Sequence, residues 1–360
     1  MKVLWFEDDE IDNLLKAVNR MQICFHPVFA PNGKFDVKDI ITLQDSGKDV
    51  IVIVDKNIAS PICEISRNGY LKDEFRMQKT AIFLTWVFFI GGRLTCGIDI
   101  MESDTSGLSS VSGAEERAQF LHGVERIPPQ IWKELAFGLI NRIPEQYLYK
   151  KTSEQRENYG AKDDLILLSN RAALLKVVQL LRDNSLTPVH KFVTFFSWYI
   201  DHLLISESML IYAALIFYQI PHVKPPKGYN RDKMQEIMRG INNQAWDLTY
   251  IGIWSRAYYN EGQYHCMFAT DDNTQKIVVV NIIPPGQWKE TLGAICQTRS
   301  DKKMIENIVN TRLGEYRVKP FAGKSEEEIR EAITKLIDME RRKLVLATTD
   351  ETELYRNSSR

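Results

Sequence analysis

Three short stretches of the chain place a carboxylate where an apolar run ends or a helix begins. They are IVIVDKNI with Asp55, NNQAWDLTYIGIW with Asp247, and CMFATDDNTQKI with Asp271 and Asp272. Carboxylates brought together repel one another unless a proton or a cation lies between them. Mg²⁺ and Mn²⁺ are hard cations that take oxygen ligands, so a converging set would suit either ion. The chemistry such a centre serves is phosphoryl transfer, and most directly hydrolysis of a phosphodiester.

Each position also has a purely structural reading. Asp55 in DKN suits a turn or a helix cap. Asp247 suits the opening of a helix, with Leu248, Ile251 and Trp254 packing behind it. Thr270-Asp271-Asp272-Asn273 suits a hairpin turn before a strand starting near Lys276. Glu207 stands at the start of a very apolar helix, where it or Ser206 caps the end. Glu74 and Glu102 compete with Glu207 to complete a site, Glu74 on a helix soon after Asp55 and Glu102 just after a strand.

Other chemistries lack their signatures. The six histidines show no HExxH or similar metal spacing, and no GxxxxGK[ST], GxGxxG or GxSxG is present. The five cysteines form no CxxC and are odd in number, as expected of reduced core thiols in a cytoplasmic protein. Formal net charge is −1, from 46 basic and 47 acidic residues, so any nucleic-acid contact must come from a local basic patch. The opening MKVLWFEDDE has no signal-peptide pattern. AIFLTWVFFI (81–90) is too short to span a bilayer. The apolar stretch 192–220 is interrupted by Asp201, His202 and Glu207, and both read as buried helices.

The elements that must position these residues follow from periodicity. KVLWF (2–6) reads as a strand, followed by a helix from 11 to about 21 with Asp8 and Asp9 at its start. VIVIV (50–54) is β-branched throughout without alternation, as expected of a strand covered on both faces. Residues 70–90 read as a helix ended by Gly91-Gly92, and RLTCGIDIM (93–101) as a strand. SDTSGLSSVSG (103–113) reads as a loop and KKTSEQRENYGAK (150–162) as a linker. From 114 to about 220 the pattern is mainly helical. PHVKPPKGYNRDK (221–233) is a loop whose lysines could meet phosphates. A helix over 231–241 precedes a second one carrying Trp246 and Asp247. YHCMFAT (264–270) and KIVVVNII (276–283) read as strands, PPGQW as a break, 301–344 as two charged helices, and TTDETELYRNSSR as a frayed tail. The expected fold is α/β, with a central mostly parallel sheet, helices on both faces and a large helical insertion. Its expected parts are an α/β core from 1–102 and 200–300, the insertion at 103–199, and C-terminal helices and tail at 301–360.

The ordered set Asp55-x-Asn57 after a strand, Glu207 at a helix start, Trp246-Asp247-Leu248, and Phe-Ala-Thr270-x-Asp272 resembles the PIN-domain ribonucleases over about 45–60 and 200–283. The resemblance implies a catalytic set of Asp55, Glu207, Asp247 and Asp272. It implies Mg²⁺ or Mn²⁺ held by Asp55, Asp247 and Asp272, with Asn57 and Thr270 in support, while the adjacent acids leave Asp271 as a further candidate metal ligand. It implies an endoribonuclease with an RNA substrate, of the kind used as toxins or in phage defence. The long interval from Asp55 to Glu207 departs from that family and requires the helical insertion.

The N-terminal part is similar, in degenerate form, to a response-regulator receiver domain. Asp8 and Asp9 would be its acidic pair, Asp55 its phosphoacceptor and Thr85 its switch hydroxyl. No strand-ending Lys follows Thr85 where that family has one, and the segment around Thr85 reads as a helix. A third reading is a non-catalytic interaction protein that meets a protein partner through helices 114–220 or 301–344. No membrane association is expected.

Overall fold

In a computed structural model, residues 5–95, 113–151, 164–260, 262–283, 286–315 and 320–358 are described. The expected loop at 103–112, most of the 150–162 linker, Glu102 and the 96–101 part of the predicted strand lie outside these residues. The chain forms two compact units. One is Met1–Lys162 with Ile253–Asp272, and the other is Asp163–Gly252 with Asn273–Arg360. This grouping differs from the one expected from sequence, because the helices of the supposed insertion are divided between the two.

The first unit is built on a mostly parallel four-stranded sheet of order β1-β4-β2-β3. β2 (Asp49–Val54) is central, parallel to both β3 (Gly92–Thr95) and β4 (Tyr264–Ala269). β1 (Cys24–Phe25) adds antiparallel to β4 at one edge. Val50, Val52, Ile53 and Val54 of β2 are buried, matching the unbroken β-branched run. Along the chain run α1 (Asp8–Met21), α2 (Val37–Asp45), α3 (Lys56–Asn68), α4 (Glu74–Phe89), α5 (Gly113–Leu121) and α6 (Pro129–Ala136). Leu14 and Val18 of α1, Ile58 and Ile62 of α3, and Leu84 and Trp86 of α4 share one core with the strands.

Capping chemistry sets where these helices start. Glu7 caps α1, its N–H donating to the Glu10 carboxylate at 2.9 Å, while Asp8 and Asp9 fill the first turn. Asp73 caps α4 by accepting from the Arg76 N–H at 3.0 Å, so Glu74 is simply the first helical residue. Lys133 reaches back to the Trp5 carbonyl at 2.7 Å and the Glu10 carboxylate at 2.6 Å, fixing the chain before α1.

The predicted N-terminal strand is corrected in its described part. Trp5 and Phe6 are outside any strand, and Trp5 is 81% exposed. The β4 edge they could have joined is paired by Cys24–Phe25 instead. In the stretch expected to be mainly helical, the helix that starts at Pro129 ends at Ala136, and Gly138 turns the chain at φ +71°.

The second unit is helical. It contains α7 (Leu165–Arg182), α8 (Pro188–His202), α9 (Glu207–Phe217), the first part of α10 (Met234–Tyr259), α11 (Asn273–Ile282), α12 (Trp288–Ile295), α13 (Arg299–Glu315) and α14 (Glu326–Ser358). α9 is the middle of this unit. Every residue from Ser208 to Phe217 is buried, against α7, α8, α11 and α12. That explains why the 192–220 stretch is so apolar, and no described helix is long and apolar enough to cross a membrane.

Three expectations fail here. KIVVVNII lies within α11 and not in a strand, because Thr274, Gln275, Val278, Val279 and Ile282 are buried at helical spacing. The two helices expected across 231–259 are one continuous helix. The tail expected to be frayed continues α14 as far as Ser358.

Candidate functional site

The sheet register brings together two sequence-predicted residues separated by more than half the chain. Val54 of β2 stands opposite Ala269 of β4, so Asp55 and Thr270 are the next residues past two neighbouring parallel strands. The Asp55 N–H donates to the Ala269 carbonyl at 3.1 Å, and the Thr270 N–H to the Ile23 carbonyl at 2.9 Å. The carboxyl ends of parallel strands are where ligands bind in open α/β sheets.

Asp55 is fully buried. Its Oδ1 accepts from the Ile58 N–H at 3.0 Å, which makes it the N-cap of α3. Its Oδ2 accepts from the Thr270 hydroxyl at 2.6 Å and from the Asn57 amide at 3.1 Å. Thr270 Oγ1 in turn accepts the Asp272 N–H at 3.1 Å, so one hydroxyl links the two acidic positions. Burial pushes the Asp55 carboxyl up to about 6 against an ordinary 3.8. The bonds from Thr270, Asn57 and Ile58 pull the other way, and the charge of Asp272 adds to the rise. The helix-cap reading of Asp55 is therefore true, but it is not the whole account. A cap at the surface does not carry a desolvation penalty of this size.

Asp271 serves a different purpose from Asp272. It accepts an ion-paired hydrogen bond from Lys79 of α4 at 2.5 Å. The hairpin expected at 270–273 is absent, since the chain passes from β4 into α11.

The remaining candidates are on other elements. Asp247 does not open a helix. It lies in the interior of α10, half-buried, accepting from the Gln275 amide at 2.8 Å and from the Gln244 amide at 3.3 Å. Asp247 and both of these amide partners belong to the second unit. Glu207 is the first residue of α9, also in the second unit. Thr85, the switch hydroxyl of the receiver-like resemblance, is buried in the interior of α4.

The donor set at the strand ends can be tested against Mg²⁺ or Mn²⁺. Three of the roughly four acceptor positions of the Asp55 carboxylate are used by the protein. The donor easiest to displace is the exposed Asn57. Among the described residues, no group of three or more His, Cys, Asp or Glu side chains is arranged to hold a metal. Mg²⁺ commonly takes one or two carboxylates and completes its shell with water and substrate phosphate. Asp55 with Asp272 fits that minimal pattern.

Lys79 and Arg76 are residues that the sequence reading missed. Lys79 holds Asp271, and the Arg76 guanidinium reaches the Asn57 carbonyl at 3.4 Å. Both lie on α4 at helical spacing from its exposed first turn, and that spacing was their only signal in the sequence. No family model matches the chain, and neither a curated protein nor a solved structure matches it.

Proposed function

We propose that the chain is a metal-dependent nuclease, acting on RNA, whose centre lies at the carboxyl ends of β2 and β4. The observation that carries this reading is the Asp55–Thr270–Asp272 link, in which one hydroxyl at adjacent parallel strand ends meets a buried carboxylate and the backbone N–H of a second acidic residue, whose charge acts on Asp55. Asp55 and Asp272 would hold Mg²⁺ or Mn²⁺. When bound, the ion would lower the pKa of a water and neutralise charge on the scissile phosphate. Thr270 fixes the orientation of the Asp55 carboxylate, and Asn57 would give up its place on Oδ2 to the ion. Lys79 keeps the Asp271 carboxylate neutralised beside the site.

The test is a thermal melt with and without Mn²⁺ on wild type and Asp272→Asn in parallel, followed by cleavage of a single-stranded RNA. A metal that binds only the folded state at 100 times its Kd stabilises by about 2.7 kcal/mol. The wild type is expected to gain on that order and Asp272→Asn to gain little. Cleavage is expected to fall at least 100-fold in the variant. An equal Mn²⁺ gain in both proteins, with cleavage unchanged, would remove Asp272 and this site from the account.

A further inference from the structure

Beside the strand ends, the first unit carries a groove of about 420 Å³ between α1, α4 and the end of α6. Its floor is apolar, formed by Leu14, Met21, Ile82 and Phe137. Phe75 stands at its edge with 76% of its surface in solvent, although it opens α4 beside a well-covered core. Asn13 and Gln78 supply amides to the same wall. Among the described lining residues the charged ones are Arg20 and Lys79, and Lys79 is ion-paired with Asp271, which makes Arg20 the cation of the groove.

Lys79 also lines a narrow cleft with Asn57, Arg76 and Asp271. One side chain thus connects the groove to the segment that carries Asp272. An apolar slot with an exposed ring, amides and cations is the usual make-up of a single-stranded nucleic-acid site. There, bases stack on aromatics and phosphates follow positive charge. The volume suits a ligand of nucleotide size.

We propose that this groove takes one nucleotide of a single-stranded RNA. Its base lies on Phe75 and the apolar floor, and its phosphate faces Arg20. The strand is thereby led to the carboxylates at the ends of β2 and β4. The inference rests on the nuclease reading for its direction, but it concerns binding and is tested apart from cleavage.

The experiment is fluorescence anisotropy of a labelled single-stranded RNA in the presence of a chelator, with wild type, Phe75→Ala, Arg20→Gln and Asp272→Asn. Both groove side chains are exposed, so melting temperatures should match wild type. Phe75→Ala is expected to weaken binding roughly tenfold, as for loss of one base–aromatic stack. Arg20→Gln is expected to flatten the salt dependence by about 0.7, the value for one phosphate contact on a single strand. Asp272→Asn should bind as wild type does.

Wild-type binding that neither groove variant changes would overturn the groove while leaving the nuclease reading to its own assay. RNA cleavage without measurable binding in the chelator would do the same. A Phe75-dependent self-association with no RNA bound would make the groove a protein surface and end the proposal. Loss of cleavage in Asp272→Asn beside intact groove-dependent binding would separate the two functions as stated.

Discussion

Asp55→Asn is expected to make the metal-free protein more stable at neutral pH while abolishing cleavage. The folded-state pKa of Asp55 is raised, to about 6 from 3.8. Between those values the unfolded chain has already released the proton that the folded chain still holds. Stability therefore falls as pH rises from about 4 to 6, stays reduced above that, and is recovered below about 4. This is the reverse of a salt-bridged carboxylate.

A shift of about two units corresponds to roughly 3 kcal/mol, and Asp55 is fully buried, so solvent screening removes little of it. Asparagine carries no charge to desolvate and caps a helix as well as aspartate does. It leaves the Thr270 hydroxyl and the Asn57 amide without their shared charged acceptor, at a cost of about 1 kcal/mol for the buried hydroxyl and less for the exposed amide, which can turn to water. The net gain is then about 1–3 kcal/mol, or roughly 2–12 °C for a unit of this size. Thermal melts at several pH values in a chelator read it directly. The variant should also lose the slope between about pH 4 and 6. A variant that melts at or below wild type with the slope intact would show that Asp55 bears no such penalty. Stability gained as activity is lost is the pattern of a residue retained for chemistry at the expense of the fold.

The second large effect is structural. Gly240→Ala in α10 should unfold or severely weaken the helical unit. A Cβ there would stand 1.8 Å from the Lys227 carbonyl oxygen and 2.7 Å from its carbon, both backbone atoms. The 221–233 loop is tied down on both sides of Lys227. The Tyr212 hydroxyl donates to the Lys224 carbonyl at 3.1 Å, the Lys224 N–H donates to Thr274 at 3.1 Å, and the Arg182 guanidinium holds the carbonyls of Tyr229 and Arg231. This segment is therefore a tethered loop whose lysines stay exposed. Relief requires moving backbone on one side, which costs about 3 kcal/mol or more. Urea denaturation compared with Gly252→Ala checks it. Gly252 lies in the same helix, and its added methyl would be at an ordinary 3.4 Å from Ile166. Equal midpoints for the two variants would contradict the close approach.

What the sequence determined by itself is local. The unbroken VIVIV run identified β2 and its double burial, because only a strand covered on both faces tolerates such a pattern. The polar residue ending each apolar run, Asp55 after β2 and Thr270 after β4, was legible as a break in hydrophobicity. The mixed α/β class followed from strands among helical stretches, and α1 and α4 from their periodicity. Other features needed the tertiary structure.

Asn273–Ile282 carries a β-branched run whose propensity favours a strand. It is a helix because its neighbours in the second unit bury the positions that a helical turn aligns. Asp247 looked like a helix start because a separate helix was expected to end near 241, before Trp246 and Asp247. Capping residues mark a terminus only where the chain ends its hydrogen-bonded ladder, and here the ladder runs through them. The pairing of Asp55 with Thr270 depends on β2 lying beside β4 with Val54 opposite Ala269. That adjacency joins segments with some two hundred residues between them, and no local pattern encodes it. The raised pKa of Asp55 has the same origin, because it comes from the desolvation that assembly of the sheet and its helices imposes, and from the charge of Asp272 that the pairing brings near.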